Sequence, residues 1–121
     1  MRNLLIATLI CAGMPVLAAD WAVRPSDRVL TRQDVETLTS GNTLVFYDEG
    51  RSTYSEGGAY SYTYASGQSA YGNYEITQDG TVCITYRHGA ERCDRYVESG
   101  PRIVLLTEDG LRFPVRPVEK K

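Results

Sequence analysis

Residues 74–94 read YEITQDGTVCITYRHGAERCD, and their turns and cysteines specify the strand register on which the predicted fold rests. Cleavage of an N-terminal export signal, which residues 1–19 indicate, would remove Cys11 and leave two of the three cysteines. In an exported protein such a pair predicts a disulfide, here between Cys83 and Cys93. If the two cysteines stand directly opposite each other, the hairpin is centred on His88 and its loop is residues 87–89. That loop ends in glycine, which supplies the positive φ that three-residue hairpin loops use at this position.

The preceding hairpin predicts the same register. Opposing Ile76 to Val82 leaves a loop at residues 78–80, which again ends in glycine. Because side chains alternate along a strand, the register defines a core face and an outer face. The core face carries Tyr74, Ile76, Val82, Ile84 and Tyr86, and the outer face carries Glu75, Thr77, Thr81, Cys83 and Thr85.

The same register turns two charged residues of the partner strand, Arg92 and Asp94, toward the core face. Two explanations are open at this point. In the first, a β-bulge or the end of the strand turns both side chains away from the core. In the second, the two residues form a buried polar pair, because an unpaired buried charge is costly. We favour the bulge or the strand end.

The first 19 residues have the pattern of a cleavable secretory signal. Arg2 precedes an apolar run at residues 4–17, and small residues follow at 18 and 19. A membrane span needs about 20 apolar residues, so this run is too short to cross a bilayer comfortably. We therefore expect a cleaved signal at 1–19, a single β domain at 20–121, no membrane association after cleavage, and a periplasmic or secreted location.

The charge of the chain argues against nucleic acid as a partner. Loss of Arg2 with the signal leaves 12 of the 13 basic residues against 15 acidic ones, a net charge of about −3. Nucleic-acid binding calls for a basic patch, and the sequence predicts none.

One short helix is predicted at residues 32–40. Thr31 is a good N-cap, Asp34 has the position of the acidic partner in a capping box, and Gly41 is a natural residue for the C′ position. The apolar side chains of Val35 and Leu38 are expected to face the core.

Strands follow the helix to the end of the domain, at 43–47, 60–64, 73–77, 81–86, 91–97, 102–107 and 111–115. Turn signals recur about every ten residues, which is typical of an all-β protein. We expect a mainly β fold, an antiparallel meander of about seven strands that forms a strongly curled sheet or a partly open barrel. The polar, glycine-rich residues 51–58 are predicted to be a mobile loop.

The sequence predicts no catalytic, metal or cofactor site. His88 is the only histidine and is expected at a hairpin tip, where a general base would have no orienting partner. The carboxylate pairs at 48–49 and 108–109 adjoin glycines in apparent turns, where acidic residues are common. Metal-ligand motifs are missing.

The unusual feature of the sequence is the tyrosine row at 59–74, AYSYTYASGQSAYGNY. Tyr60, Tyr62 and Tyr64 alternate, so all three face the same side of a strand. They are either core residues or a binding surface, and in a partly hollow barrel they would be both. If residues 66–70 form the next turn, Tyr62 faces Tyr74 and the row points inward. The candidate ligand-binding residues are Tyr60, Tyr62, Tyr64, Tyr74 and Arg92.

The function expected from these features is non-catalytic binding by an exported module. A small ligand or glycan would bind to the tyrosine-lined face or pocket. The alternative is a periplasmic protein-binding inhibitor or accessory factor that presents its loops, at 51–58 and 65–70, to an envelope protein.

The span 38–111 resembles a loose group of small secreted bacterial proteins of unknown function. The resemblance lies in Gly41-Asn42-Thr43, Gly72-Asn73-Tyr74, Asp79-Gly80 with Cys83, and Cys93. The group usually has tryptophan where Tyr74 stands, and it brings no established activity, so it implies fold and compartment alone. In outline the chain is also similar to small disulfide-bonded β-barrels that inhibit lysozyme in the bacterial envelope. The similar segments are Ala65-Ser66-Gly67 and Ser69-Ala70-Tyr71, and no inhibitory residue is carried over.

Overall fold

The computed structural model describes residues 20–117 and contains one helix and nine strands. In chain order they are β1 (Arg28–Val29), α1 (Arg32–Thr39), β2 (Asn42–Val45), β3 (Arg51–Tyr54), β4 (Ala59–Thr63), β5 (Ser69–Ile76), β6 (Val82–Tyr86), β7 (Glu91–Ser99), β8 (Arg102–Thr107) and β9 (Arg112–Pro114). The predicted signal at 1–19 lies outside the described residues. Within 20–117, no helix is long and apolar enough to cross a membrane.

The strands form one antiparallel meander, as predicted. Strands β2 to β9 pair with their neighbours in chain order, and β1 pairs with β7. A single bridge between Phe46 and Val115 joins the first and last strands of this path at one point. The Arg116 N–H adds a hydrogen bond to the carbonyl oxygen of Val45, 2.7 Å away. The sheet is therefore strongly curled into a partly open barrel, which confirms the predicted fold class.

The register predicted from residues 74–94 is confirmed. Cys83 stands opposite Cys93 and forms a disulfide with it, with the Cα atoms 4.0 Å apart, and Ile76 stands opposite Val82. The predicted core-face residues pack in or against the main core cluster. On the outer face, Thr81 is buried because the side chain of Arg95 covers it and donates a hydrogen bond to its hydroxyl.

Most neighbouring strands are connected by the same type of hairpin loop. Five hairpins have a three-residue loop whose last residue is a glycine with positive φ: Gly58, Gly67, Gly80, Gly89 and Gly110. The hairpin between β2 and β3 has the same hydrogen bonds around residues 47–49, but its last loop residue is Glu49, with φ 72°. A non-glycine residue in this region is strained, at a cost on the order of 1 kcal/mol.

The turn of the tyrosine row differs from the predicted one. The loop between β4 and β5 is residues 65–67 instead of 66–70, so Tyr62 stands opposite Ala70 and not opposite Tyr74. The residue opposite Tyr62 is four positions away from the predicted one. Side chains alternate with a period of two along a strand, so a shift by an even number keeps Tyr62 on the same face. The inward direction predicted for Tyr60 and Tyr62 therefore holds although their partners were wrong.

Two strands are absent from the sequence prediction. The mobile loop predicted at 51–58 was wrong for its first half, because Arg51–Tyr54 is β3 and pairs with both β2 and β4. Its inward residues are Ser52 and Tyr54, both fully buried. Their polar character hid the strand pattern, and hydrogen bonds from Ser52 to Tyr60 (2.9 Å) and from Tyr54 to Tyr96 (2.6 Å) satisfy their hydroxyls. The two-residue β1 carries no sequence signal of its own.

The helix confirms the predicted cap. The Thr31 side chain accepts a hydrogen bond from the Asp34 N–H, and the Asp34 carboxylate accepts one from the Thr31 N–H. The helix ends one residue before the predicted boundary, and Gly41 follows with φ 77°. Val35 is fully buried in the main core.

The N-terminal segment covers the outer face of β7 and β8. Trp21 packs against a second apolar cluster formed by Val97, Val104 and Leu106. Asp27 fixes this segment to β9, because its carboxylate accepts two hydrogen bonds from the Arg112 guanidinium, at 2.7 and 3.2 Å. Hydrogen bonding from Arg112 holds the pKa of Asp27 at about 2.

Replacing both cysteines, Cys83→Ala with Cys93→Ala, is expected to lower the free energy of unfolding by about 2–3 kcal/mol. The disulfide closes a loop across a sequence separation of 10 residues, and its removal restores entropy to the unfolded chain. Urea denaturation of the variant and of the oxidised wild type measures the difference. Equal midpoints for the two proteins would show that the disulfide contributes nothing to stability.

Candidate ligand cavity at the open end of the sheet

The meander brings alternate strand ends together at the two ends of the curled sheet. The helix α1 lies where β2 begins and β5 ends, and it places Val35 in the core there. A cavity of about 210 Å³ lies at the other end, near the end of β4 and the start of β7. We call it the open-end cavity, and it is lined by Phe46, Asp48, Tyr62, Tyr64, Arg92, Asp94, Leu105, Thr107 and Phe113.

The tyrosine row runs from the core to this cavity. Tyr60 is 2% exposed and packs against Tyr54, with the ring centroids 5.1 Å apart. Tyr62 is half-buried and lines the cavity, and Tyr64 at its rim is 53% exposed. The rings of Tyr62 and Tyr64 meet edge to face at 4.9 Å. The row is therefore core at one end and accessible surface at the other.

Arg92 and Asp94 point into the sheet interior, and the predicted bulge was wrong. The ladder between β6 and β7 is regular, with Val82 opposite Asp94 and Ile84 opposite Arg92. Asp94 is 1% exposed, and its Oδ2 lies 3.3 Å from Nε of Arg92. The second explanation, a buried polar pair, is the correct one.

The Asp94 carboxylate has an ion pair with Arg92 but no hydrogen bond of good geometry among the described residues. Neither of its oxygens has a donor within hydrogen-bonding geometry among the described residues, and Nε of Arg92 is also without an acceptor there. Burial raises the pKa of Asp94 to about 6; the charge of Arg92 opposes this rise, and that of Glu108 adds to it. A buried carboxylate without donors is costly, so this group is the least satisfied part of the site.

Other contacts hold Arg92 in place. Its Nη2 donates a hydrogen bond to the Tyr60 hydroxyl at 3.1 Å, and that hydroxyl also exchanges a hydrogen bond with Ser52. The guanidinium lies over the rings of Tyr62, at 5.7 Å, and Tyr86, at 6.0 Å. These contacts fix the direction of the guanidinium at the floor of the cavity.

A close approach of the backbone positions Tyr62. A Cβ atom on Gly50 would lie 2.0 Å from the Tyr62 hydroxyl oxygen, so only glycine leaves room for this ring. The carboxylate of Asp48, which lines the same cavity, accepts a hydrogen bond from the Gly50 N–H at 2.8 Å. Burial, followed by the charge of Asp48, raises the pKa of Tyr62.

The structure brings three of the five predicted ligand-binding residues to the cavity: Tyr62, Tyr64 and Arg92. Tyr60 lies beneath the cavity and contacts it through Arg92. Tyr74 lies away from it, where its hydroxyl donates to the Ser55 carbonyl oxygen at 2.7 Å. The binding role of these residues stays a prediction.

Sequence reasoning missed several cavity residues. Asp48 was interpreted as a turn residue, and Asp94 was expected to turn away from the interior. Phe46 follows β2 and Phe113 lies in β9, far apart in sequence, and no local pattern associates them. The inward register of Asp94 was the one signal that could have identified the site.

Among the described residues we find no cluster that could hold a metal ion and no buried histidine. Residues 20–117 contain no group of three or more potential metal-ligating side chains. His88 lies exposed at the tip of the hairpin between β6 and β7, stacked on Tyr86 at 5.4 Å.

Comparison of the chain with protein-family models, with curated proteins and with solved structures gives no match. The cavity is therefore interpreted from its own geometry.

Proposed function

We propose that this protein is an exported, non-catalytic binding module that holds a small polar ligand, with glycans among the candidates, in the open-end cavity. The observation that carries the proposal is Asp94, a buried carboxylate that lines an aromatic-walled cavity and has no donor among the described residues. A ligand with O–H or N–H groups would supply the missing hydrogen bonds, and its apolar part would contact Tyr62 and Tyr64. Ligand-binding pockets typically have apolar and aromatic walls with a small number of polar groups.

The export part of the proposal is supported by the signal pattern at 1–19 together with the disulfide, since disulfides persist in oxidising compartments. The non-catalytic part is supported by the position of His88, which is exposed at a hairpin tip and is not among the residues that line the cavity. The alternative, an inhibitor acting through loops, has less support. Half of its first loop is strand β3, and its second begins with the tight turn at 65–67.

Binding of monosaccharides to ¹⁵N-labelled protein, measured by NMR titration, tests the proposal. We expect saturable shifts at residues that line the open-end cavity, and an unchanged sugar spectrum at the end of the titration. Tyr64→Ala should weaken binding about tenfold, because the sugar ring loses an aromatic surface against which to pack. Tyr71→Ala is the matched control, since Tyr71 is 51% exposed and lies outside the cavity.

A second pair of variants tests the cavity without removing a side chain. Gly50→Ala should displace Tyr62 and weaken binding, whereas Gly57→Ala should not, since an added Cβ there meets no atom within 4 Å. Shifts that map outside the cavity, or equal effects of Tyr64→Ala and Tyr71→Ala, would contradict the proposed site. Release of new sugar species would contradict the non-catalytic function.

A further inference from the structure

The charged groups of the open-end cavity favour one class of ligand. Two carboxylates, of Asp48 and Asp94, and one guanidinium, of Arg92, line the cavity. With all three ionised, these groups carry one excess negative charge. An anionic ligand would therefore meet net repulsion, and a cationic one would restore the balance.

The hydrogen-bonding groups favour the same class. Both oxygens of Asp94 lack donors among residues 20–117, so the buried wall has more free acceptors than donors. Arg92 does not fill this need, because its Nη2 is bonded to Tyr60 and its Nε is not aligned with the carboxylate 3.3 Å away. A ligand that brings several donors and no negative charge fits this wall.

Most of the remaining lining residues are aromatic. Phe46, Tyr62, Tyr64 and Phe113 all line the cavity. The faces of aromatic rings carry negative electrostatic potential and attract organic cations. At about 210 Å³ the cavity has room for the end of a small organic molecule.

We infer that the open-end cavity recognises a primary ammonium group on a small organic molecule, with the N–H groups donating to Asp94 and the attached carbons against Tyr62 and Tyr64. This inference rests on the proposed function and specifies its ligand. The second carboxylate, of Asp48, lies at the mouth of the cavity and attracts the same charge. A hydroxyl donates one hydrogen bond where an ammonium donates three.

Two pairs of matched probes test the inference at neutral pH: glucosamine against glucose, and n-butylammonium against n-butanol. NMR titration should show each amine binding at least about tenfold more tightly than its hydroxyl counterpart, the size expected for a hydrogen bond to a buried charge. Asp94→Asn should abolish this preference, and Asp48→Asn should reduce it. Glu91→Gln, which removes one exposed negative charge at the same end of the sheet without touching the cavity, should leave it unchanged.

The outcomes separate this inference from the function on which it rests. Equal affinities for glucosamine and glucose at the cavity would overturn the ammonium preference and leave the binding module standing. Cavity signals unmoved by all four probes would overturn both. A preference that survives Asp94→Asn, or that Glu91→Gln removes equally, would show that overall charge attracts the amines and would overturn the inference as well.

Discussion

Tyr60→Ala is expected to lower the free energy of unfolding by about 3–5 kcal/mol, the usual cost of deleting a buried aromatic ring. Tyr60 is 2% exposed, its ring packs between Tyr54 and Tyr86, and its hydroxyl bonds to Ser52 and Arg92. The substitution leaves a cavity and removes the partner that holds Arg92. Urea denaturation monitored by circular dichroism measures the change.

Tyr64→Ala is the matched comparison, since the same substitution at a 53% exposed ring should cost less than about 1 kcal/mol. Tyr60→Phe removes only the hydroxyl and should cost about 1–2 kcal/mol, because Ser52 loses a buried partner. Equal losses for Tyr60→Ala and Tyr64→Ala would mean that the row lies all in the core or all on the surface. Either result would contradict the change from buried core at Tyr60 to accessible surface at Tyr64, on which the site depends.

The second large effect is a change in the pH dependence of stability in Asp94→Asn. The pKa of Asp94 rises from 3.8 in the unfolded chain to about 6 in the folded protein, chiefly through burial. Between these values the folded state binds more protons than the unfolded state, so wild-type stability falls as pH rises through the window from about 4 to 6. The full effect, above pH 6, is about 3 kcal/mol.

The asparagine variant lacks this dependence. The free energy of unfolding of Asp94→Asn minus that of the wild type should therefore increase by about 2.4 kcal/mol between pH 4 and pH 7, because at pH 4 the carboxyl of the unfolded chain is already more than half ionised. The attraction of Arg92 is already part of the pKa of Asp94 in the folded protein, because the ion pair exists only while Asp94 is ionised. Denaturation at a series of pH values measures the difference, and parallel curves for the two proteins would contradict the assignment.

Two other carboxyl groups titrate in a different window and do not obscure the effect. The pKa of Asp27 is about 2 because of hydrogen bonds from Arg112, and that of Asp79 is about 2 because of hydrogen bonds from Thr77 and Thr81. The stability that these groups contribute is complete above pH 3.8 and is lost as pH falls toward 2. This loss is the same in the wild type and in Asp94→Asn, so it cancels in the difference between them.

Much of the fold was predictable because two independent signals coincide in residues 74–94. The cysteine pair and the loop-final glycines of two hairpins specify one register, and the structure has that register throughout. The same glycine rule applied to Gly67 would have given the loop at 65–67 that was missed. Strand β3 was not predictable from apolar alternation, because Ser52 and Tyr54 bury polar side chains that bond to partners remote in sequence.

The candidate site was predictable only in part, for a physical reason. Tyr62 and Tyr64 follow from strand alternation, and the register of the cysteine pair places Arg92 and Asp94 together on the core face. Whether Asp94 is buried depends on a balance between its desolvation and its attraction to Arg92, which no local pattern encodes. The contribution of Asp48 depends on the curl of the sheet, which brings the loop between β2 and β3 to the same end as the start of β7.

Asp94 is a buried carboxylate without donors among residues 20–117, in the wall of the cavity that we propose to bind the ligand. The most direct measurement is the titration of its side-chain carboxyl carbon by ¹³C NMR in the ligand-free protein. The structure predicts a midpoint near pH 6, because burial outweighs the attraction of Arg92. A midpoint at or below the ordinary value of 3.8 would show that the carboxylate is hydrated or hydrogen-bonded, and would contradict the site.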